Sequence, residues 1–552
     1  MTYNINSMQE DYYFVCRELI SKILQGTIKT KIDLNREKKT LSAKHHLSNF
    51  PGNSMILSQT LPGEYDSVIE LLQRKPVRTI SGVAVIAVMT SPAPCPHGTC
   101  IPCPGGPDSD YRSPQSYMGH EPATMRAIQH DYDPYRQVTG RLEQLKLIGH
   151  PVDKAELIIM GGSFTARNIC YQEWFIKRCI EAMNDFGIYR NASDTPDTRD
   201  NSDTGMFRYF EDVQARNETA QIRNVGMTFE TRPDWVGTEE VDRMLVYGGT
   251  KVEIGVQSIY DNVLEKMKRG HDVSHTIKAN SVLRDSGFKV GFHIMPGLPD
   301  STLDMDFKMF DTLFQDEKFM PDYVKIYPAL VTPGTGLHDM WTSGEYHALE
   351  LEDAVELIAN VKAILPPWVR LQRVQRDIPA WQIEGGVTKS NLRQLAGERL
   401  NEKGGRCRCI RCREAGHKGL RGIEPDNVRQ VVESYRACGG DEHFISYEDI
   451  EQDVLIGFLR LRYPHAPHRP ELENAALVRE LHVYGSMVSV GQKAGEKQWQ
   501  HKGYGEELLK MAEELAKGAG FDKLAIISGI GVRGYYRKLG FERDGPYMAK
   551  LI

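Results

Sequence analysis

Seven short runs rich in β-branched and aliphatic residues recur between residues 82 and 375 of this 552-residue chain, and their order leaves few folds open. They are Gly82–Met89 (GVAVIAVM), Ala155–Met160 (AELIIM), Val225–Glu230 (VGMTFE), Lys251–Gln257 (KVEIGVQ), Phe288–Met295 (FKVGFHIM), Tyr323–Pro328 (YVKIYP) and Val369–Gln375 (VRLQRVQ). Helix-permissive stretches lie between them. Strand alternating with helix predicts parallel βα units, and right-handed crossovers curl such a sheet into a full or partial barrel. The first run is continuously apolar, the pattern of a strand buried on both faces. In a barrel of parallel strands the chemistry sits at the C-terminal strand ends. Here those ends carry Gly161-Gly162, Glu230-Thr231-Arg232, Gln257-Ser258 and Pro296-Gly297.

Directly after the first run comes CPHGTCIPCPGG, with Cys95, Cys100 and Cys103. Three thiolates can hold a four-iron cluster at three irons and leave the fourth open. An open iron can chelate S-adenosylmethionine and reduce it. Closely spaced cysteines also make zinc knuckles, and the spacing alone leaves both open. The context favours the cluster, because a zinc knuckle predicts no barrel around it. A second group, Cys407-Arg-Cys409-Ile-Arg-Cys412, places three soft ligands in six residues and suits a structural zinc. Its fourth ligand could be His417, His443 or His482, and the alternative is a linker of inert small residues.

The composition is that of a globular protein long enough for three or four domains. Ten cysteines, six of them in the two clusters, point to metal binding in a reducing cytoplasm rather than to a disulfide scaffold. No signal peptide and no membrane-spanning apolar run is legible. The net charge of −6 argues against a chain that coats nucleic acid along its whole surface. Residues 17–50, however, carry eight Lys or Arg against three acids. Such a stretch is either a solvated helix face or an arm for a phosphate-rich substrate.

The expected organisation is a basic helical front piece over 1–75, a barrel over 76–390, a cysteine-containing linker over 391–440, and a separate α/β domain over 441–552. Within the barrel, Asn191–Thr204 (NASDTPDTRDNSDT) reads as a polar surface insertion. The last domain has its own motif, Gln500-x-x-Gly503-Tyr504-Gly505, running into the amphipathic segment that starts at Glu506. Glycines let the backbone approach a pyrophosphate, and a helix N-terminus points free N–H groups at the anion. The loop follows a strand-like Val478–Val483 and precedes another at Leu524–Ser528, after which comes Gly534-Tyr-Tyr536.

That order resembles the GCN5-related N-acetyltransferase (GNAT) fold. The pairing of the two halves, with the stretches CPGGPDSDYRSPQSYMGHEPATMRAI, MGGSFTA, FETRPDW, EIGVQSIYD, RVQRDIP, REAGHKG, RELHVYGSM and YYRKLGF, resembles the Elongator catalytic subunit family. The resemblance implies an α/β chain: a partial TIM-like radical SAM barrel followed by a GNAT-like acetyltransferase domain. It implies a 4Fe-4S cluster on Cys95, Cys100 and Cys103 that cleaves S-adenosylmethionine to a 5′-deoxyadenosyl radical. It further implies acetyl-CoA as co-substrate and the anticodon stem-loop of transfer RNA as the partner. The expected product carries a carboxymethyl group at C5 of the wobble uridine.

By the same resemblance, acetyl-CoA contacts fall on Lys154, on Glu480-Leu481-His482-Val483, on Tyr504-Gly505-Glu506 and on Tyr536, with Tyr536 protonating the departing thiolate. Packing is the other reading of Tyr536. Gly161 and Gly162 match the strand end where backbone meets the methionine amine. Glu230, Arg232 and Gln257 stand where cofactor-facing side chains belong, or in a buried ion-pair network. The spacing C-x4-C-x2-C departs from the commoner C-x3-C-x2-C, as it does in Elongator relatives. The Cys407–Cys412 cluster, much reduced in eukaryotic relatives, implies a bacterial or archaeal type that works without the other Elongator subunits. Two competing readings are a protein lysine acetyltransferase whose barrel is regulatory or structural, and a transfer RNA-binding scaffold.

Overall fold

The computed structural model describes residues 5–74, 79, 81–187, 210–419, 423, 425–484 and 503–552. The segment 191–204 and Gln500 lie outside the described residues.

The seven runs form one sheet of seven strands in chain order: β1 Ala84–Met89, β2 Lys154–Met160, β3 Arg223–Thr231, β4 Lys251–Gln257, β5 Lys289–Ile294, β6 Tyr323–Ile326 and β7 Arg370–Val374. Every neighbouring pair is parallel. The order runs from β1 at one edge to β7 at the other, so the barrel is partial. Alternate residues serve its two faces. Leu157, Ile159, Met227, Phe229, Val252, Ile254, Val290, Phe292, Val324 and Ile326 belong to the large apolar core. The intervening Glu156, Thr228, Glu230, Lys251, Glu253, His293 and Lys325 bond to one another across the concave face. The expectation of burial on both faces fails for β1: it is an edge strand, with no strand beyond it among the described residues, and Val85 is 41% exposed.

A second sheet of seven strands follows: β8 Val428–Ala437, β9 Gly440–Asp449, β10 Val454–Tyr463, β11 Ala475–Val483, β12 Lys523–Ile526, β13 Glu542–Asp544 and β14 Tyr547–Leu551, in the order β13-β14-β12-β11-β10-β9-β8. It begins at Val428, earlier than residue 441, because β8 pairs with β9 along its whole length. The one parallel pair joins Ala475–Val478 of β11 to Lys523–Ile526 of β12. Past Val478 the register lapses, so Arg479–Val483 diverges from β12.

The two sheets share one core. Leu472, Ala475, Leu477, Ala525, Ile527, Ile530 and Tyr547 pack with the barrel residues. The second sheet meets the barrel at the N-terminal ends of its strands. Arg479 donates to the Phe288 carbonyl and Tyr547 to the Ser286 carbonyl, both just before β5. A Cβ on Gly529 would meet the Val225 carbonyl, at the start of β3, at 2.3 Å.

The front piece is four helices, Ile5–Leu24, Lys31–Lys44, Asn53–Leu57 and Tyr65–Leu72, around a core that includes Val15, Leu19, Ile20, Leu34, Leu41, Ile56, Val68 and Leu72. Part of its basic charge is spent internally: Arg17 pairs with Glu64, Lys22 with Glu37, and the buried Lys38 bonds Asn53. Lys29, Lys31, Arg36, Lys39 and Lys44 remain exposed. Among the described residues no helix is long and apolar enough to cross a membrane.

Candidate active site

A cavity of about 200 Å³ opens at the C-terminal ends of the barrel strands. Its lining gathers Cys95, Cys100 and Cys103 from the loop after β1, Gly162 after β2, Glu230 and Arg232 at the end of β3, and Gln257 at the end of β4. Residues far apart in sequence thus converge because parallel strands deliver all their C-terminal ends to one rim.

Each sulfur has polar company. Cys95 lies 3.7 Å from Ser163 Oγ, and Cys100 lies 2.9 Å from His97 Nε2 and 3.3 Å from Arg269 Nη1. Cys103 takes a 3.4 Å contact from Gln115 Nε2 and a 3.5 Å contact with Ser116 Oγ. Burial raises the Cys95 thiol, with Ser163 and Arg232 opposing. Burial, then Arg232 and Arg269, push His97 down to about 4, so its ring is neutral at pH 7. Gly161 is held by tertiary contact: at φ +120 its missing Cβ would sit 2.1 Å from Thr90 Oγ1.

Two lining groups have buried atoms with no partner. Arg232 is gripped on one side by Asp234 through two 2.9 Å bonds, while its Nη1 is buried and unpaired. Gln257, at φ 67, has an unpaired buried Oε1. Unsatisfied buried polar atoms are costly, and both residues belong to the cavity lining, which suits a polar ligand with both charges. Glu230 is satisfied differently: Tyr117 donates to it at 3.1 Å and Lys325 Nζ lies at 3.2 Å.

The thiol sets differ in spread. Among the described residues, two groups of three metal-capable side chains hold their ligand atoms within 4.8 Å of one another: Cys407, Cys409 and Cys412, and Glu230, Glu253 and His293. In the latter, Lys325 already sits as the internal cation, paired to both carboxylates. Zn–S bonds of about 2.3 Å in a tetrahedron put sulfurs roughly 4 Å apart, which suits Cys407, Cys409 and Cys412. The wider spacing of Cys95, Cys100 and Cys103 suits a larger body with one sulfur per corner. None of the three candidate histidines completes the compact set. His417 bonds Glu414 at 2.8 Å, His443 bonds Ser434 at 2.7 Å, and the His482 ring lies tilted against that of Tyr484 with centroids 4.3 Å apart.

The remaining candidates lie elsewhere. Gly503, at φ 90, caps the helix Tyr504–Gly518, and Glu506 stands in its first turn. A Cβ on Gly505 would lie 2.9 Å from Tyr535 Oη and 4.0 Å from Val483 Cγ2, so the loop, the diverging end of β11 and the helix Arg533–Lys538 meet. Tyr536 is buried in the adjoining core with Phe541, and Leu481 packs against the same core. The Tyr504 ring lies 4.9 Å from that of Tyr447. Glu480 turns away: Arg460 Nε donates to it at 2.9 Å and Tyr323, of β6, at 2.5 Å. Lys154 opens β2, at the end opposite the cysteines. Gln115, Tyr117 and Tyr535 fall in stretches that carry the family resemblance and Lys325 in the sixth strand run, but their places at the sites, like that of Arg269, are revealed by contact alone.

Four protein-family models match successive stretches of the chain. The ELP3 N-terminal domain matches residues 12–80, the Radical SAM superfamily 95–312, the Radical_SAM C-terminal domain 321–402, and the Acetyltransferase (GNAT) family 420–541. A Methanocaldococcus infernus protein named tRNA uridine(34) acetyltransferase is 51% identical over 509 residues, 91% of this chain and 92% of its own length. The Elongator complex protein 3 of Schizosaccharomyces pombe is 43% identical over 551 residues, 97% of this chain and 98% of its own. The solved structure of the Methanocaldococcus infernus Elp3 with an N-terminal deletion superposes with a TM-score of 0.73 at 47% identity, covering 86% of this chain and all of that one. Matches this long at these identities carry a shared descent, and the chain belongs to the Elongator complex protein 3 family, a radical SAM barrel joined to a GNAT domain.

Proposed function

We propose that the protein modifies transfer RNA, using a radical made from S-adenosylmethionine and the acetyl group of acetyl-CoA to place a carboxymethyl group at C5 of the wobble uridine. The observation that carries this reading is the convergence of three thiols with Arg232 and Gln257 on the lining of one cavity, the last two each keeping an unpaired buried polar atom. Its match to relatives named tRNA uridine(34) acetyltransferase supplies the substrate class.

The residues fit the cofactors that the family implies. Cys95, Cys100 and Cys103 would hold three irons and leave a fourth for the methionine amine and carboxylate. Arg232 Nη1 suits that carboxylate and Gln257 Oε1 the amine, beside the backbone of Gly162. When bound, the cluster and S-adenosylmethionine supply a 5′-deoxyadenosyl radical able to take hydrogen from an unactivated methyl group. The protein's part is to exclude water, orient the partners and neutralise charge. In the GNAT domain, the Gly503–Gly505 loop and the helix N-terminus would hold the pyrophosphate, the backbone of Leu481–Val483 would follow the pantetheine, and Tyr536 would protonate the thiolate as water cleaves the thioester. The side chain of Glu480 is engaged with the barrel, so its share in binding would fall to the backbone. Cys407, Cys409 and Cys412 would take a structural zinc, its fourth ligand coming from none of the three histidines. The front helices would bind transfer RNA through their exposed lysines.

The test uses anaerobically reconstituted protein with transfer RNA, S-adenosylmethionine, reductant and acetyl-CoA. Nucleoside mass spectrometry should show 5-carboxymethyluridine. Cys100→Ala should lose iron and product and keep zinc, whereas Cys409→Ala should lose zinc. Unmodified RNA beside acetylated protein overturns the proposal in favour of a lysine acetyltransferase.

A further inference from the structure

Trp381 is 72% exposed, on a short turn at Ala380–Gln382 that follows β7. An exposed indole offers a flat apolar face to whatever binds beside it. Its position narrows what that is. Arg373, Arg376 and Asp377, just before the turn, line the cavity of the cysteines, and so do Glu121, Pro122 and Ala123. His120, next to Glu121, meets the indole edge-on, with ring centroids 5.0 Å apart and planes at 69°. An edge-on neighbour orients the indole without stacking over it. The Trp381–His120 pair therefore stands on the rim of the active-site cavity, bridging its two walls.

The turn beneath is built to hold still. Ile378 and Ile383, on either side of Trp381, are buried in a small cluster with Met118 and Leu330. Gln382 is buried as well, and its N–H donates to the Pro379 carbonyl at 2.9 Å. Arg376 ties the strand end to the Ser116 carbonyl beside the cysteine loop. A rigid exposed aromatic loses little freedom when a flat ligand stacks on it.

We propose that Trp381 is a stacking platform for the nucleobase next to the one that enters the cavity. The inference rests on the reading of the site as one that modifies RNA. A base worked on deep in a cavity must leave its stack, and its neighbour then loses one stacking partner. Trp381 offers a replacement face at the rim; Arg373, 46% exposed on the cavity lining and paired with Asp377 at 2.9 Å, could exchange that carboxylate for the phosphate between the two nucleotides. Trp381 is a positioning residue; it touches neither the cysteines nor the reacting carbon.

The test is equilibrium binding by the full-length protein of a stem-loop RNA with 2-aminopurine beside the target uridine. Aromatic stacking quenches 2-aminopurine, and the readout needs no turnover. The wild type and Trp381→Phe should both quench. Trp381→Ala should lose the quenching and bind the loop about 5- to 150-fold more weakly, the usual worth of one base stacked on an aromatic ring. A duplex without a loop should bind both variants alike, and S-adenosylmethionine cleavage without RNA should be unchanged. Trp381→Ala that quenches fully and binds within about twofold of wild type overturns the platform alone. Equal weakening on the duplex also overturns it, since a lost stacking face spares paired bases. A wild type that binds no stem-loop overturns the RNA-modifying reading and the platform together.

Discussion

Arg479 of β11 grips Asp322, at the entrance to β6, through two hydrogen bonds of 2.8 Å, and both side chains are fully buried. The pair joins the two sheets. Arg284 and Arg460 also lie within 4.0 Å of Asp322, and Glu442 balances Arg284, Arg462 and Arg479. A rigid joint results between the domain with the GNAT loop and the barrel with the cysteines.

Removing the carboxylate should cost far more than an average contact. Asp322→Ala leaves buried guanidinium groups short of a counter-charge, a change worth about 3–5 kcal/mol. Denaturant unfolding should register that loss, with Asp322→Asn close behind because it keeps the shape and not the charge. A loss under about 1 kcal/mol would mean that the joint is dispensable.

Acid should loosen the same region. Burial pushes Glu414 up, but Arg370 and His417 outweigh it and hold the carboxyl down to about 2. Asp322 and Glu442 are also lowered, since their arginines outweigh burial. A depressed carboxyl stabilises the fold fully above its unfolded value of about 4.3, and the contribution drains away as pH falls toward the folded value. Unfolding free energy should therefore drop between about pH 4.5 and pH 2. In Glu414→Gln the drop should be shallower; an unchanged slope would remove Glu414 from the account.

The Gly161 position should tolerate no side chain. An alanine there meets Thr90 Oγ1 at 2.1 Å and the Thr90 backbone nitrogen at 3.0 Å, in a φ of +120 that L residues avoid. Gly161→Ala should lose at least about 2 kcal/mol and weaken binding of S-adenosylmethionine, because Gly162 beside it lines the cavity. Thr90→Ala in the same chain should restore stability only in part, since the backbone conformation still disfavours alanine. Full recovery in thermal unfolding would show that the Thr90 hydroxyl was the whole obstacle.

How much of this was legible beforehand differs by element. The seven barrel strands and their order follow from runs such as KVEIGVQ, because a strand among parallel neighbours needs apolar side chains on its helix-facing side. Cys95, Cys100 and Cys103 stand out because three thiols in nine residues have few uses. The strand-end residues Gly162, Glu230, Arg232 and Gln257 were legible for the same topological reason, and all four line the cavity. By contrast, Glu480 looked like part of the acetyl-CoA edge, yet its carboxylate bonds Tyr323 and Arg460. Of the candidate histidines for the second cysteine set, His417 is close in sequence and His443 is not, and both are engaged elsewhere.

By itself, then, the sequence determined the βα order, the thiols and the glycine loop, because local patterning and short spacings survive without a third dimension. Only the tertiary structure decided that the GNAT-containing sheet docks on the N-terminal ends of the barrel strands, away from the cysteines. It alone decided that Lys325 serves two glutamates and that Tyr117 reaches Glu230. Those pairings arise from strands and loops that neighbour in space and not in sequence. In a buried interior each charge must find its partner across that space, and no local pattern records which partner it finds.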